Sequence, residues 1–365
     1  MIFKGKNLKR VPYLNYGYIP ITEYLIHQHN FGDALGKRMK KLQIPIWDRL
    51  YRPDIFLRDP KVKAIIKVQD TILEATRKFL HSKGFIELLV PVIAPVTDPG
   101  IRQAQFFEMQ FYNQRARLVS SAILYKIASM IAFEKIYTIA INIRKEPINL
   151  ENFDRTLSEF RQIDIEVKEA SRKQIQRLSE DLIIHIIKSV KRENEEELKI
   201  LGRDLRIPHK PFREYTFREA VEFAETFGYG IGPDGELSRD AEIALSKVHY
   251  DPFWILDYPK EVRGFYYKEK EDGTLLDMDL IFPEGFGEGA SGGERELEPV
   301  KVVQRMRITG VEPSEYEWFL KVLESGITKC SGIGFGIERL TRWICGLESI
   351  VEAIPFPKLP GYLGV

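Results

Sequence analysis

Glycine stands at every second position of one apolar run, Gly332-Ile333-Gly334-Phe335-Gly336, and the chain continues without a break into Ile337-Glu338-Arg339-Leu340. Successive side chains of a strand point to opposite faces, so such a run leaves one face of its strand bare. A bare face lets a ligand's flat surface lie against the backbone. The run feeds a helix beginning near Glu338-Arg339. Arg339 therefore sits at a helix N-terminus, where an anion is already favoured. The spacing is not that of a dinucleotide-binding turn, and no βαβ unit surrounds it. A glycine-kinked core strand ending in a surface arginine is the plainer alternative.

Helical and strand periodicities surround this run without strict βαβ alternation. Apolar residues recur at helical spacing from Val62 to His81 (Ile65, Val68, Ile72, Leu73, Phe79, Leu80), and Gly84 supplies a stop. Phe85–Val90 reads as a strand ending at Pro91. Phe106–Phe111 and Arg117–Ser120 read as strands linked by a turn at Asn113, and Ala122–Ala132 as a helix. Strands follow at Tyr137–Ile143 and Phe160–Lys168, then an amphipathic helix over 171–196. Residues 214–250 are polar and helix-rich and read as an insertion. Strand character resumes at Phe253–Tyr258, Gly264–Lys268 and Leu275–Phe282, and helices are predicted at Pro299–Thr309 and Ser314–Ser325. The pattern predicts an α+β fold with an antiparallel sheet flanked by helices.

With 365 residues, of which 44% are apolar and 29% charged, the chain can bury a large core without disulfides or a structural metal. Its two cysteines, Cys330 and Cys345, suit neither a disulfide scaffold nor a four-ligand zinc site, which makes the cytoplasm the expected compartment. No membrane span or secretory leader is predicted. Residues 1–60 carry eleven lysines and arginines against five acids, while the rest of the chain is mildly acidic. Pro60 marks the predicted boundary between a basic N-terminal extension, 1–60, and a catalytic unit, 61–365, with the insertion near 214–250. Such an extension can contact nucleic acid or pack as a structural arm.

Two further constellations carry chemistry. In Asn142-Ile143-Arg144-Lys145-Glu146-Pro147 a strand delivers Arg144 and Glu146 to one face; a polar loop, 148–154, leads to Arg155, Glu159 and Phe160. Phe160, Gln162, Asp164 and Glu166 then share a face of the next strand. So many polar groups on one face suggest a site, the alternative being an exposed, salt-bridged surface. In Gly287-Glu288-Gly289-Ala290-Ser291-Gly292-Gly293-Glu294-Arg295, preceded by Asp277-Met278-Asp279, small residues leave Asp279, Glu288 and Ser291 open to a ligand. Their oxygens suit Mg²⁺ carrying a triphosphate. An exposed glycine-rich turn is the alternative.

Taken together, in this order and at this wide spacing, these stretches resemble the three motifs of class II aminoacyl-tRNA synthetase catalytic domains. Gly84–Pro91 after its helix resembles the dimerisation motif, Arg144-x-Glu146 through Glu159-Phe160 the second motif, and Gly334-x-Gly336-x-Glu338-Arg339 the third. Within the class, Arg155…Glu159-Phe160…Gln162-Ile163-Asp164 and Phe356-Pro357-Lys358-Leu359-Pro360-Gly361 are similar to the aspartyl/asparaginyl branch. The run from Gly287 to Glu296 most resembles archaeal asparagine synthetase-related proteins, paralogues without an anticodon-binding domain.

The resemblance implies the class II fold, a homodimer, and ATP and Mg²⁺ as reaction partners. It implies that Arg144 holds the α-phosphate, Arg155 the γ-phosphate and Arg339 the folded-back triphosphate, in a nucleotide site that includes Glu146. Phe160 would stack on one side of adenine and Arg339 on the other. Asp279, Glu288 and Ser291 would carry the metal. Lys126 and Arg295 would grip an aspartate side-chain carboxylate, with Asp164 ordering that basic pocket and Gln162 touching the amino acid. Ser120-Ser121-Ala122-Ile123 departs from the branch's usual Gln-Ser-x-Gln, and Asp98 stands near where a glutamate usually meets the α-amino group.

The implied chemistry is adenylation of aspartate, then attack by ammonia to give asparagine. The altered loop and the lack of an anticodon-binding domain favour this acceptor. Aspartyl- or asparaginyl-tRNA ligation is the alternative, favoured by the basic extension; asparagine is then the other candidate amino acid. A degenerate paralogue with a binding role is a third reading, opposed by the presence of Arg144, Glu288 and Arg339.

Overall fold

The computed structural model describes residues 52–99, 106–148 and 154–364. The basic extension up to residue 51, with the short helix suggested by Pro20–Ile26, lies outside the described residues. So does most of the polar loop before Asp154.

A turn of helix, Pro53–Phe56, precedes the first long helix, α1 (Pro60–Ser82). Asp59 caps α1 by accepting from Lys61 N, and Pro60 occupies the first turn, where its missing N–H costs nothing. Phe56 is already buried, so the packed unit begins before the boundary at Pro60. After α1 come the short strands β1 (Ile86–Glu87) and β2 (Ile93–Ala94), then the hairpin β3 (Glu108–Phe111) and β4 (Gln114–Leu118). Helix α2 (Ile123–Ser129) leads to the long strands β5 (Lys135–Ile143) and β6 (Glu159–Lys168). Ser171 and Gln174 form a capping box at the start of α3 (Arg172–Glu193), which is followed by α4 (Glu195–Leu201). Then come β7 (Arg213–Thr216), α5 (Phe217–Glu225), α6 (Arg239–Lys247), β8 (Phe253–Leu256), β9 (Asp277–Phe282) and β10 (Gly287–Glu294). The chain finishes with α7 (Pro299–Ile308), α8 (Glu317–Glu324), β11 (Cys330–Gly336) and α9 (Ile337–Cys345).

Eight strands form one sheet in the order β1-β5-β6-β11-β10-β9-β8-β7; β2, β4 and β3 form a second, small sheet. The large sheet is antiparallel through its middle, as the sequence pattern predicts, with parallel pairs at both edges, β1 with β5 and β7 with β8. Val68 and Ile72 of α1, and Ile183, Ile186 and Ile187 of α3, pack with Ile163, Ile165, Ile333 and Phe335 on one face. Each such side chain, removed from water, contributes roughly 1.5–3 kcal/mol. The opposite face carries the even-numbered positions of β6 and the glycines of β11. It is flanked by two smaller cores, one built on α2, α7 and α8 and the other on α5, α6 and β8.

Three expectations change. The strand predicted over Phe85–Val90 pairs only at Ile86–Glu87. Gly264–Lys268 forms no ladder; it contributes a single bridge, Tyr267 to Arg295. The segment 214–250 is no simple helical insertion: Arg213–Thr216 is an edge strand of the main sheet, and α5 and α6 pack Phe217, Ala220 and Leu245 against Phe253 and Ile255. No helix among the described residues is long and apolar enough to cross a membrane.

Candidate active site

The register of β6 against β11 builds the floor of the site. Glu166 pairs with Gly332, Asp164 with Gly334 and Gln162 with Gly336. Bare positions therefore lie beside each polar side chain. A methyl group on Gly332 would come 2.0 Å from Glu166 Oε2, and one on Gly334 would come 2.7 Å from Asp164 Oδ1. The first two glycines thus make room for the protein's own carboxylates rather than for the flat face of a ligand. Asn142, one strand further out, donates to Gln162 Oε1 at 2.5 Å.

Two cations complete this floor. Lys126 on α2 donates to Asp164 Oδ1 at 2.5 Å and lies 3.9 Å from Glu166 Oε2. Arg295, just past β10, donates from Nε and Nη2 to the two Glu166 oxygens, both at 2.9 Å. All four side chains are buried. Burial opposes the charge on Arg295, but the Glu166 carboxylate outweighs it and holds the guanidinium above its ordinary range. The resemblance implies a basic pocket ordered by Asp164 alone, whereas each cation is matched by its own acid. Glu166 is the residue that reading left without a role, although it shares the polar face of β6. Arg295 Nη1 and Asp164 Oδ2 are buried with no hydrogen-bond partner among the described residues.

These groups end a cleft of about 530 Å³ whose walls also include Arg144, Glu146, Arg155, Phe160, Glu288, Ser291 and Arg339. Arg144 donates to Ser120 O at 3.0 Å and lies over the Phe160 ring, 4.9 Å from its centre. The resemblance places Arg339 opposite that ring; here Arg144 covers one face of it. Arg339 instead reaches β10, 3.1 Å from Glu288 O and 3.3 Å from Glu288 Oε2. Arg155 pairs with Glu242 of α6 at 2.9 Å. Asp98 lines the cleft, buried, and accepts from Tyr266 Oη at 2.9 Å. The unusual Ser120 is tied to the same loop: its N–H donates to Thr97 Oγ1 at 2.8 Å and its hydroxyl to Asp98 O at 2.7 Å.

The suggested metal ligands separate into two groups. Glu288 and Ser291 line the cleft, but Asp279 does not. Asp279 and Ser291 are cross-strand partners, yet the Asp279 carboxylate is ion-paired with Arg263 Nη2 at 2.5 Å. Arg263 also lies 3.3 Å from Asp277 and 3.5 Å from Glu236, with the Tyr258 ring 3.7 Å away. Burial pushes the Asp279 carboxyl up despite Arg263, and pushes Asp277 to about 7. Among the described residues no three His, Cys, Asp or Glu side chains stand close enough to cage a metal. Glu288 and Ser291 fit an ion carried in by a phosphate chain; Asp279, already neutralised from behind, does not. Nothing in the local sequence marks Arg263 or Glu242 for these contacts, because their partners are distant along the chain.

Glu338, at the start of α9, points inward rather than into solvent. Both its carboxylate oxygens accept from Arg161 N, at 3.0 and 3.1 Å, which ties α9 to β6, and burial pushes its carboxyl up to about 7.

Known proteins share this arrangement. A family model described as tRNA synthetases class II (D, K and N) matches residues 49–360. The asparagine–tRNA ligase of Thermococcus kodakarensis is 30% identical over 315 residues, covering 85% of this chain and 72% of that protein. The asparaginyl-tRNA synthetase from Pyrococcus horikoshii complexed with asparaginyl-adenylate superposes with a TM-score of 0.81 at 28% identity, over 87% of this chain and 73% of that one. The aspartyl tRNA synthetase from Entamoeba histolytica superposes with a TM-score of 0.74 at 26% identity, over 87% and 62%. An antiparallel sheet with a bare glycine strand, an arginine-lined cleft on its open face and a match along most of the chain give one conclusion: this protein belongs to the class II tRNA synthetases of the D, K and N group and is an ATP-binding ligase.

Proposed function

We propose that the cleft activates aspartate with ATP, and that ammonia is the acceptor that turns the activated acid into asparagine. An oxygen of aspartate's side-chain (β) carboxylate attacks the α-phosphorus, the bond to the β-phosphate breaks, and pyrophosphate leaves with that electron pair. Ammonia then attacks the acyl carbon, AMP departs, and the nitrogen loses a proton. The first transfer needs alignment and charge neutralisation more than a general base. Arg144, Arg155 and Arg339 supply charge along the phosphate chain, within reach of Glu146. Phe160 supplies an adenine platform once Arg144 turns from the ring to the phosphate. Mg²⁺, held by Glu288 and Ser291 through the triphosphate, would add neutralising charge.

The observation that carries the choice of amino acid is the pair Lys126 and Arg295. Each is backed by its own carboxylate and keeps unspent N–H groups: Arg295 Nη1 has no partner among the described residues, and Lys126 makes one hydrogen bond with three donors. Two donors side by side suit the two oxygens of a carboxylate: in the ammonia reading, where the side chain is the adenylated end, they hold aspartate's α-carboxylate, and in the tRNA reading its side-chain carboxylate. Gln162 and Asp98 would meet the rest of the amino acid.

Transfer to tRNA is the second reading, and the relatives favour it, since those compared above carry asparagine–tRNA or aspartyl-tRNA ligase names. In it, the basic segment 1–60 is the tRNA contact and 61–365 the catalytic unit. For either acceptor, we place a second copy of the chain against the helix and strand of 62–91, where Ile86 and Leu89 are exposed. One experiment separates the acceptors. The protein receives aspartate or asparagine, ATP and magnesium, with ammonium or with tRNA, and the product is identified. Asparagine formed only with ammonium supports the first reading; aminoacyl-tRNA with no asparagine overturns it.

A further inference from the structure

We propose that Glu242 is a built-in stand-in for a terminal phosphate: its carboxylate holds Arg155, and nucleotide binding displaces it. The inference rests on the reading above that Arg155 meets the triphosphate.

Glu242 lies on α6, whose start is set by Ser238 accepting from Ala241 N. Its side chain is largely buried, as is that of Arg155. One oxygen, Oε1, accepts from Arg155 Nη2 at 2.9 Å and from Glu288 N at 2.5 Å; the other lies 3.3 Å from Arg155 Nη2. A guanidinium and a backbone N–H converging on one anionic oxygen is the arrangement a phosphate oxygen seeks. Gly287 keeps the space open, since a methyl group there would sit 2.1 Å from Glu242 Oε1.

Two further observations point the same way. Helix α6 grips the neighbouring residue as well, because Arg239 is ion-paired with Asp154. The helix therefore holds two consecutive residues, 154 and 155, by pairs of opposite polarity. Cations also crowd this end of the cleft. Arg342 is half-buried close to these charges, and its burial, with Arg155, Arg339 and Arg239 acting against the pull of Asp154, pushes it down to about 10. Glu242 tempers that field at Arg155, as Asp154 does at Arg239 and Glu288 at Arg339. A triphosphate brings more charge and replaces Glu242, so the glutamate sets a threshold that AMP, lacking the outer phosphates, does not meet.

The test is calorimetric titration of the full chain with ATP and, separately, AMP, in magnesium. Glu242→Gln keeps an oxygen for Glu288 N but weakens the hold on Arg155. It should tighten ATP binding about fivefold, the scale of a partly buried ion pair, and leave AMP binding unchanged. Glu242→Asp, too short to span to Arg155, should act in the same direction and serves if the amide variant fails to fold. Arg155→Ala should weaken ATP binding and abolish the gain from Glu242→Gln. Unchanged or weaker ATP binding in both Glu242 variants would overturn the stand-in role. Unchanged ATP binding in Arg155→Ala would instead overturn the phosphate reading of Arg155.

Discussion

Lys126→Met removes one charge from a dry site while keeping most of the side-chain volume. Lys126, Asp164, Glu166 and Arg295 are 2%, 3%, 0% and 3% exposed, so water cannot compensate for a missing member. Lys126 makes the one short ion pair of Asp164, at 2.5 Å, and Asp164 Oδ2 has no partner among the described residues. Breaking a buried pair from one side costs about 3–5 kcal/mol, because the remaining charge stays buried. Removing both charges leaves no such debt, so Lys126→Met/Asp164→Asn should recover well over half of the loss. Urea unfolding of the wild type, both single variants and the double variant closes the cycle, with the double variant costing less than either single. A Lys126→Met variant within ~1 kcal/mol of wild type, or strictly additive effects, would refute the view that this pair is held dry. The pairing also moderates amino-acid choice. Where the pair grips the side chain, as in the tRNA reading, aspartate should lead asparagine by roughly 1.5–3 kcal/mol, the worth of a hydrogen bond to a charged group, because Lys126 is already matched. Calorimetry with both amino acids checks this, and equal affinities would remove the carboxylate reading.

Arg339→Ala should reduce ATP–pyrophosphate exchange at least ~100-fold with an unchanged circular dichroism spectrum, since the side chain lies at the cleft wall; near-normal exchange would contradict its phosphate role. Leu89, 92% exposed, should sit in a dimer contact, so that Leu89→Asp sediments as a monomer and wild type as a dimer; a wild-type monomer would exclude this face. Glu338, raised to about 7 by burial, keeps its proton in the folded chain over a range where the unfolded chain has lost it. Its contribution is therefore complete below the ordinary glutamate range and lost as pH climbs towards 7. Glu338→Gln should gain on wild type by up to ~3 kcal/mol between pH 4.5 and 7.5 in thermal melts; parallel pH profiles would show that the carboxyl is not perturbed.

Repeating local patterns made much of this molecule legible from sequence. The helical period of 62–81, the polar face of Phe160, Gln162, Asp164 and Glu166, and the glycine alternation of 332–336 each act within a few residues. Pairing across the fold was less legible. Arg263 meets Asp279 because β9 lies beside the segment before it, and Glu242 meets Arg155 across 87 positions of sequence. Neither contact leaves a local signature, so the local pattern alone makes Asp279 an open oxygen ligand and 214–250 a polar insertion. The edge strand Arg213–Thr216 was missed for a related reason, since four residues carry too little alternation to distinguish a strand from a helix start.

The closeness of β6 and β11 at the floor of the site constrains how such a chain can change over generations. Gly332 faces Glu166 with no room for even one methyl group, and Glu166 in turn anchors Arg295. A descendant acquiring alanine at 332 would have to shorten or turn the glutamate and also shift β6, whose Ile165 O lies 2.2 Å from the new methyl, and would then strand the arginine. No single-step order through these three positions avoids a weakened intermediate. They form an inherited block, and the route to a new amino-acid preference runs instead through Lys126 and Asp164, where the two members of one pair can be exchanged together.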